Sequence, residues 1–316
     1  MAPDGRTRLS TLLFSHAACL DHDPGAFHPE CPARLTAVLE ALRASQFAAL
    51  IRREAPLAEL DDIARVHPRR HVDAVLSAVP ERGYHPIDGD TILSPGSGIA
   101  ALRAAGGVVA AVDAVMAGEA KNAFCAVRPP GHHAEPGQAM GFCLFNNIVV
   151  GAQRARAVHG AERVAIIDFD VHHGNGTQAV AERDEGLFYA STHQSPLYPG
   201  TGAAEERGLG NIVNAPLRGG AGSNEFRLAF THWIMPELEK FAPDLLMISA
   251  GFDAHKDDPL GGLRLDESDY IWVTGLLAEY AERACGGRVV SALEGGYDLR
   301  ALATSTAAHI SVLMSA

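Results

Sequence analysis

Residues 163–175 read RVAIIDFDVHHGN. An apolar run rich in Val and Ile gives way abruptly to Asp, His and Gly, the pattern of a strand buried on both faces that ends in a polar loop. The run RVAIIDFD (163–170) has counterparts at LLF (12–14), AFCAV (123–127), LFYAST (187–192), DLLMISAG (244–251) and RVVSALEG (288–295). Helix-like patterns lie at 33–44, 98–116, 148–158, 224–241, 267–284 and 301–314. Strand and helix in this alternation predict an α/β fold in three layers, αβα, with a mostly parallel sheet. No repeat or linker-like stretch divides the chain, so 1–316 is expected to form a single domain.

In open sheets of this kind, ligands bind beyond the C-terminal strand ends. The unusual polar residues fall there: AFCAV runs into RPPGHH, VAIIDFD into VHHGN, LLMISAG into FDAHKDDP, and VVSALEG into GYD. In DFDVH, Asp168, Asp170 and His172 are spaced by two, so a strand continued through them aims all three at one face. Two buried carboxylates beside an imidazole call for a cation. Asp253 joins Asp170 and His172 as a three-ligand set that leaves a position for water, the pattern of a catalytic zinc site. A helix cap or a loop-bonding carboxylate is the competing reading of Asp168 or Asp170 taken alone. Gly174 and His255 stand where a second metal needs further carboxylates, so one metal is expected. The adjacent His132 and His133 can serve one site only if the backbone between them is irregular, as Pro129, Pro130, Gly131, Pro136 and Gly137 imply.

Bulk composition bounds the function. Of 316 residues, 47% are apolar and 20% charged, enough for a sizeable core. A net charge of -12 argues against nucleic acid as a partner and favours cationic substrates. Five scattered cysteines without a C-x-x-C pair point to a reducing compartment, and the expected location is cytoplasmic. Arg6 and Arg8 before TLLFSHAACL faintly resemble a signal peptide. His16 breaks that run and Asp21 and Asp23 follow it, so a first core strand is expected instead. No apolar stretch is expected to span a membrane, which takes about 20 residues. A homo-oligomer remains open.

Together RPPGHHA, GFCLFNN, DFDVHHGNGTQ, PGTG, SAGFDAHKDDPLGG and EGGYD, with HPECPARL (28–35), resemble the zinc-dependent histone deacetylase family, closest to its class II and bacterial amidohydrolase-like branch. The resemblance implies an arginase/deacetylase fold with an eight-stranded sheet and hydrolysis of an acyl, chiefly acetyl, amide on lysine or a related amine. It makes His133 the general base, His132 an electrostatic partner held by Asp168, and Asn175 the partner of His133, where other branches carry Asp. It makes Tyr297, after the hinge-like Gly295–Gly296, the donor to the developing oxyanion. An ordinary half-buried tyrosine is the plainer alternative. Phe142 and Tyr198 become tunnel walls, the Gly141 carbonyl an acceptor for the substrate amide, and Leu260 a tunnel residue where acetylpolyamine-specialised relatives carry glutamate. Arg34 matches an internal-channel arginine, against a surface helix arginine. A structural K⁺ site maps to the Asp168 side chain, Ser191 and the backbone of Asp170, His172 and Thr192; for Ser191 a strand-end hydrogen bond is the alternative. Zn²⁺ or Fe²⁺ suits the catalytic position. Asp88 and Asp90 are read as solvated loop residues near the rim. A small-molecule amidohydrolase and a non-catalytic acyl-ligand binding protein are the competing functions.

Overall fold

The computed structural model describes residues 11–316, so Arg6 and Arg8 lie outside the described residues. Among the described residues there are ten strands: β1 (Thr11–Ser15), β2 (Ile51–Glu54), β3 (His85–Pro86), β4 (Ile92–Leu93), β5 (Asn122–Cys125), β6 (Val164–Asp168), β7 (Leu187–Gln194), β8 (Ile212–Leu217), β9 (Leu245–Ala250) and β10 (Val289–Leu293). The helices are α1 (Pro32–Ala41), α2 (Leu60–Ile63), α3 (Arg69–Ser77), α4 (Ser97–Met116), α5 (Asn147–His159), α6 (Asn175–Ala181), α7 (Ser223–Ala229), α8 (Met235–Phe241), α9 (Glu267–Cys285) and α10 (Leu299–Leu313).

Eight strands form one sheet in the order β2-β1-β5-β10-β9-β6-β7-β8, and all its pairings are parallel. β3 and β4 form a small antiparallel hairpin. Helices cover both faces. Phe124 and Ser291 are register partners, and both meet His309 of α10, Ser291 through a 2.9 Å hydrogen bond. Met247, one register row away and so on the opposite face, packs against Gly151 of α5, where an added Cβ would approach its Cε to 3.0 Å. The three-layer expectation therefore holds.

The two sheet strands missed in the sequence are its edges. β2 reads IRRE and is exposed along its length, and β8 contains Asn214 and Pro216, so neither shows a continuous apolar run. The helix expected over 224–241 is interrupted by a π-helical turn at Phe230–Ile234. Pro236 lacks an N–H and crowds the carbonyl one turn earlier, which widens the ladder there. The membrane expectation needs correction at α4. This helix is long and apolar enough to cross a bilayer, but two-thirds of its most apolar window is buried against the rest of the fold. It packs on α5 and over β1, β5 and β10.

Candidate metal centre and active site

The polar strand ends belong to β5, β10, β9 and β6, four neighbours at the centre of the sheet. Parallel pairing brings their C-terminal ends to one edge, so residues up to 165 positions apart in sequence meet there: His132 and Tyr297 are the extremes. β6 ends at Asp168, not at Asp170 as the sequence pattern implied. Asp170 and His172 reach the site from a folded-back loop, held by Asp168 Oδ1 accepting from the Asp170 amide at 3.1 Å. The expected convergence survives, by a different backbone path.

Asp170, His172 and Asp253 place ligand atoms within 4.8 Å of one another, and all three are buried. His172 Nδ1 lies 3.1 Å from Asp170 Oδ1 and 3.1 Å from Asp253 Oδ2. The other oxygens are spoken for: Asp170 Oδ2 accepts from the Gly295 amide at 2.8 Å, and Asp253 Oδ1 from the Val171 amide at 2.8 Å. Side chains are excluded next door, since a Cβ on Gly251 would sit 2.0 Å from Asp170 Oδ2 and one on Gly295 2.1 Å from Asp253 Oδ2. Burial, reinforced by the charge of Asp170, pushes the Asp253 carboxyl up to about 7. Burial opposes protonation of His172, yet the two carboxylates push it up to about 10. A cluster that recruits a proton in this way has the charge and donors of a divalent-cation site, and two carboxylates with one imidazole fit zinc. Among the described residues no further carboxylate joins this group.

The paired histidines lie beside it, their rings 4.0 Å apart. His132 Nδ1 is 3.0 Å from Asp168 Oδ2, which the Tyr189 hydroxyl also reaches at 3.1 Å. His133 Nδ1 meets Asn175 Oδ1 at 2.8 Å. Asn175 Nδ2 donates to Glu135 Oε1 at 2.8 Å, which fixes the amide so that its oxygen faces the imidazole. His133 must then carry its proton on Nδ1 and keep Nε2 free as a base. The two histidines are also driven apart in acidity. Burial disfavours charge on both, but Asp170 and Asp168 hold His132 well above the usual value, while His132 and His172 add to burial in holding His133 well below it.

A pocket of about 260 Å³ opens above the cluster, lined by Asp90, His133, Gly141, Phe142, His172, Leu197, Tyr198, Leu260 and Tyr297. All four expected tunnel residues line it. Gly141 and Phe142 both adopt left-handed φ, +57° and +69°. A Cβ at Gly141 would strike the His133 ring at 2.5 Å. Phe142 pays backbone strain for a position edge-on to Tyr297, ring centroids 5.8 Å apart. Tyr198 is edge-on to His133 at 5.1 Å. Burial pushes the Tyr297 phenol well above its ordinary value against the opposing pull of Arg34, so it stays protonated at neutral pH.

Three expectations need refinement. Arg34 is fully buried, not a surface helix residue; its Nε donates to Gly296 O at 2.6 Å and its guanidinium lies 4.8 Å from the Tyr297 ring centroid. Asp90 is half-buried and lines the pocket mouth, whereas Asp88 is exposed, as expected of a solvated loop. Ser191 sits in register with Asp168, and its hydroxyl is 2.9 Å from His193 Nδ1, the strand-end bond held as its alternative.

Among the buried acids without an assigned role in the sequence, Glu30 and Glu294 both lie in quoted motifs. Glu30 is buried among Arg128, Arg34 and His22, with Arg128 Nη2 at 2.6 Å. Glu294 is buried at the end of β10 and accepts from the amides of Gly131 (2.7 Å) and His132 (3.2 Å). Its signal was the one that exposed Asp168: an acid ending an otherwise apolar strand. Because Glu294 holds the backbone under both histidines, Glu294→Ala is expected to leave metal content intact and lower kcat about tenfold or more through loop displacement. Two unpaired amides should also cost about 1–3 kcal/mol in denaturant-measured stability.

The C-terminal edge of a wholly parallel sheet thus carries a buried Asp–His–Asp cluster that could hold a metal ion, with paired histidines and a tyrosine beside one pocket. The histone deacetylase domain model matches residues 28–313, and the chain belongs to the histone deacetylase family. It is 42% identical to the histone deacetylase-like amidohydrolase of Pseudomonas aeruginosa, over 85% of this chain and 71% of that protein. It is 38% identical to histone deacetylase 14, chloroplastic, of Arabidopsis thaliana, over 96% of this chain and 76% of that protein. The crystal structure of the HDA15 HD domain matches with a TM-score of 0.92 at 38% identity, covering 97% of this chain and 88% of that one. The fold is thereby the three-layer α/β arrangement expected of the family.

Proposed function

We propose that the protein hydrolyses an acyl amide, chiefly acetyl, on a lysine side chain or related amine, with Zn²⁺ held by Asp170, His172 and Asp253. The observation that carries this reading is a single pocket lined by His133, by Tyr297 and by His172 of the Asp–His–Asp cluster. Zinc bound there supplies Lewis-acid polarisation of the acyl carbonyl and acidifies a water.

The chain's residues supply the rest. His133, neutral and anchored through Nδ1 by Asn175, takes the proton of the attacking water at Nε2 and later passes it to the leaving amine. His132, held charged by Asp168 and Asp170, stabilises negative charge as it develops. The Tyr297 hydroxyl donates to the oxyanion derived from the acyl carbonyl. Phe142 and Tyr198 grip an apolar stem, and the Gly141 carbonyl accepts from the scissile amide N–H. A K⁺ held by Asp168 and Ser191 with the backbone of Asp170, His172 and Thr192 fits the same frame. The five free cysteines accord with a reducing, cytoplasmic setting.

Leu260 at the pocket favours a lysine-like stem, whereas Asp90 at the mouth favours a cationic substrate and keeps a small acylated polyamine as the second reading. A panel of acetyl-lysine peptides and acetylputrescine, with and without a hydroxamate, tests both. Hydroxamate-sensitive turnover of the peptides, at least about tenfold above acetylputrescine in kcat/KM (about 1.4 kcal/mol), is the expected result. Reversal of that preference supports the polyamine reading. Hydroxamate binding by zinc-loaded protein without turnover of any acyl amide would make the protein a binding module.

A further inference from the structure

The loop that leaves Asp253 carries another acid, Asp258, that the chemistry above does not use. The residue is 7% exposed, and its carboxylate collects three backbone N–H groups. Oδ1 accepts from Leu260 at 3.0 Å, while Oδ2 accepts from Tyr297 at 2.7 Å and from Asp298 at 3.2 Å. Two of those donors belong to pocket-lining residues on opposite loops. The segment joining β10 to α10 needs such an anchor. Gly295 and Gly296 have no side chains to pack, and Gly296 stands at φ +120°, where other residues are strained. Arg34 fixes the Gly296 carbonyl and Asp298 caps α10 by accepting from the Ala301 amide at 2.8 Å. The backbone amide of Tyr297 itself is held by Asp258.

We propose that Asp258 is a positioning residue, whose buried carboxylate clamps the backbone of Tyr297 to that of Leu260 and so sets where the phenol stands over the metal cluster. An ionised carboxylate suits this task, because it offers several acceptor sites and forms charge-assisted bonds about twice as strong as neutral ones. The proposal rests on the reading of Tyr297 as the oxyanion donor. It differs from a general stabilising role in one respect: the loss on removing Asp258 must travel through the Tyr297 hydroxyl.

A double-mutant cycle on the zinc-loaded full chain separates the two, using whichever acyl amide of the panel above is turned over fastest. Asp258→Ala is expected to lower kcat about 10- to 100-fold, as a misplaced catalytic group does, with KM little changed and one metal per chain retained. Asp258→Asn keeps one oxygen acceptor and should recover a large part of that loss; it carries the same cycle if the alanine variant does not fold. In the Tyr297→Phe background either substitution should cost less than about twofold, because coupled residues do not add. An equal loss in both backgrounds, or a loss that follows metal release, overturns the clamp while leaving Tyr297 its role. A Tyr297→Phe enzyme as fast as the parent overturns the oxyanion assignment, and the clamp with it.

Discussion

Asp253→Ala is expected to lose bound metal and amide hydrolysis together. Asp170 and His172 alone cannot hold a tight divalent site. Removing a partner behind a ligand already costs about 10- to 100-fold in affinity or activity, so removing a ligand should cost about 1,000-fold or more. Metal per chain, measured after gel filtration, should fall close to zero, and turnover with it. Thermal unfolding supplies an independent readout. A ligand at 1,000 times its dissociation constant stabilises the folded state by about 4 kcal/mol, so zinc should raise the parent's melting temperature and leave the variant's unchanged. Asp253→Asn is the control for folding, since its amide oxygen can still accept the Val171 N–H that Oδ1 accepts at 2.8 Å. In the metal-free state that variant should be no less stable than the parent, because it removes one of two mutually repelling buried carboxylates. Full metal occupancy in Asp253→Ala would place the ion elsewhere.

The strands whose ends build this site were legible because burial on both faces demands unbroken apolar runs, as in VAIID and LLMISA. β2 and β8 were not, since a sheet edge is free to carry Arg52, Arg53, Asn214 or Pro216. Asp170, His172 and Asp253 announced themselves as polar residues at strand ends. What no spacing conveys is the path after Asp168, where the chain leaves the strand and still delivers both ligands. The anchoring shell was also harder to see. Glu135 and Asp258 act on backbone or amide groups brought together only by the fold, and a carboxylate bound to distant N–H groups leaves no pattern in its own neighbourhood. Arg34 shows the same limit from the other side: its helix position fits solvent as well as a buried network, and only the packing of α1 on α10 decides.

Tyr297→Phe should separate chemistry from structure more cleanly than any other substitution in the pocket. Phenylalanine keeps the ring that stands edge-on to Phe142 and 4.8 Å from the Arg34 guanidinium, and the backbone N–H still reaches Asp258. Nothing that shapes the pocket is removed, and none of the three metal ligands is touched. If Tyr297 were an ordinary half-buried tyrosine, the variant would melt and turn over like the parent. If the hydroxyl donates to the developing oxyanion, kcat should drop by about 100-fold or more, the range found for loss of one such donor, or about 2.7 kcal/mol in the barrier. The effect belongs in kcat and equally in kcat/KM, because the bond strengthens only as negative charge appears. Metal content and melting temperature should stay at the parent's values. Burial keeps the phenol protonated well past neutrality, so the deficit should persist undiminished from pH 6 to pH 9. A deficit that widened toward pH 9 would mean that the hydroxyl acts by losing its proton, as a base, and one that closed would mean that the phenol ionises in that range and stops donating.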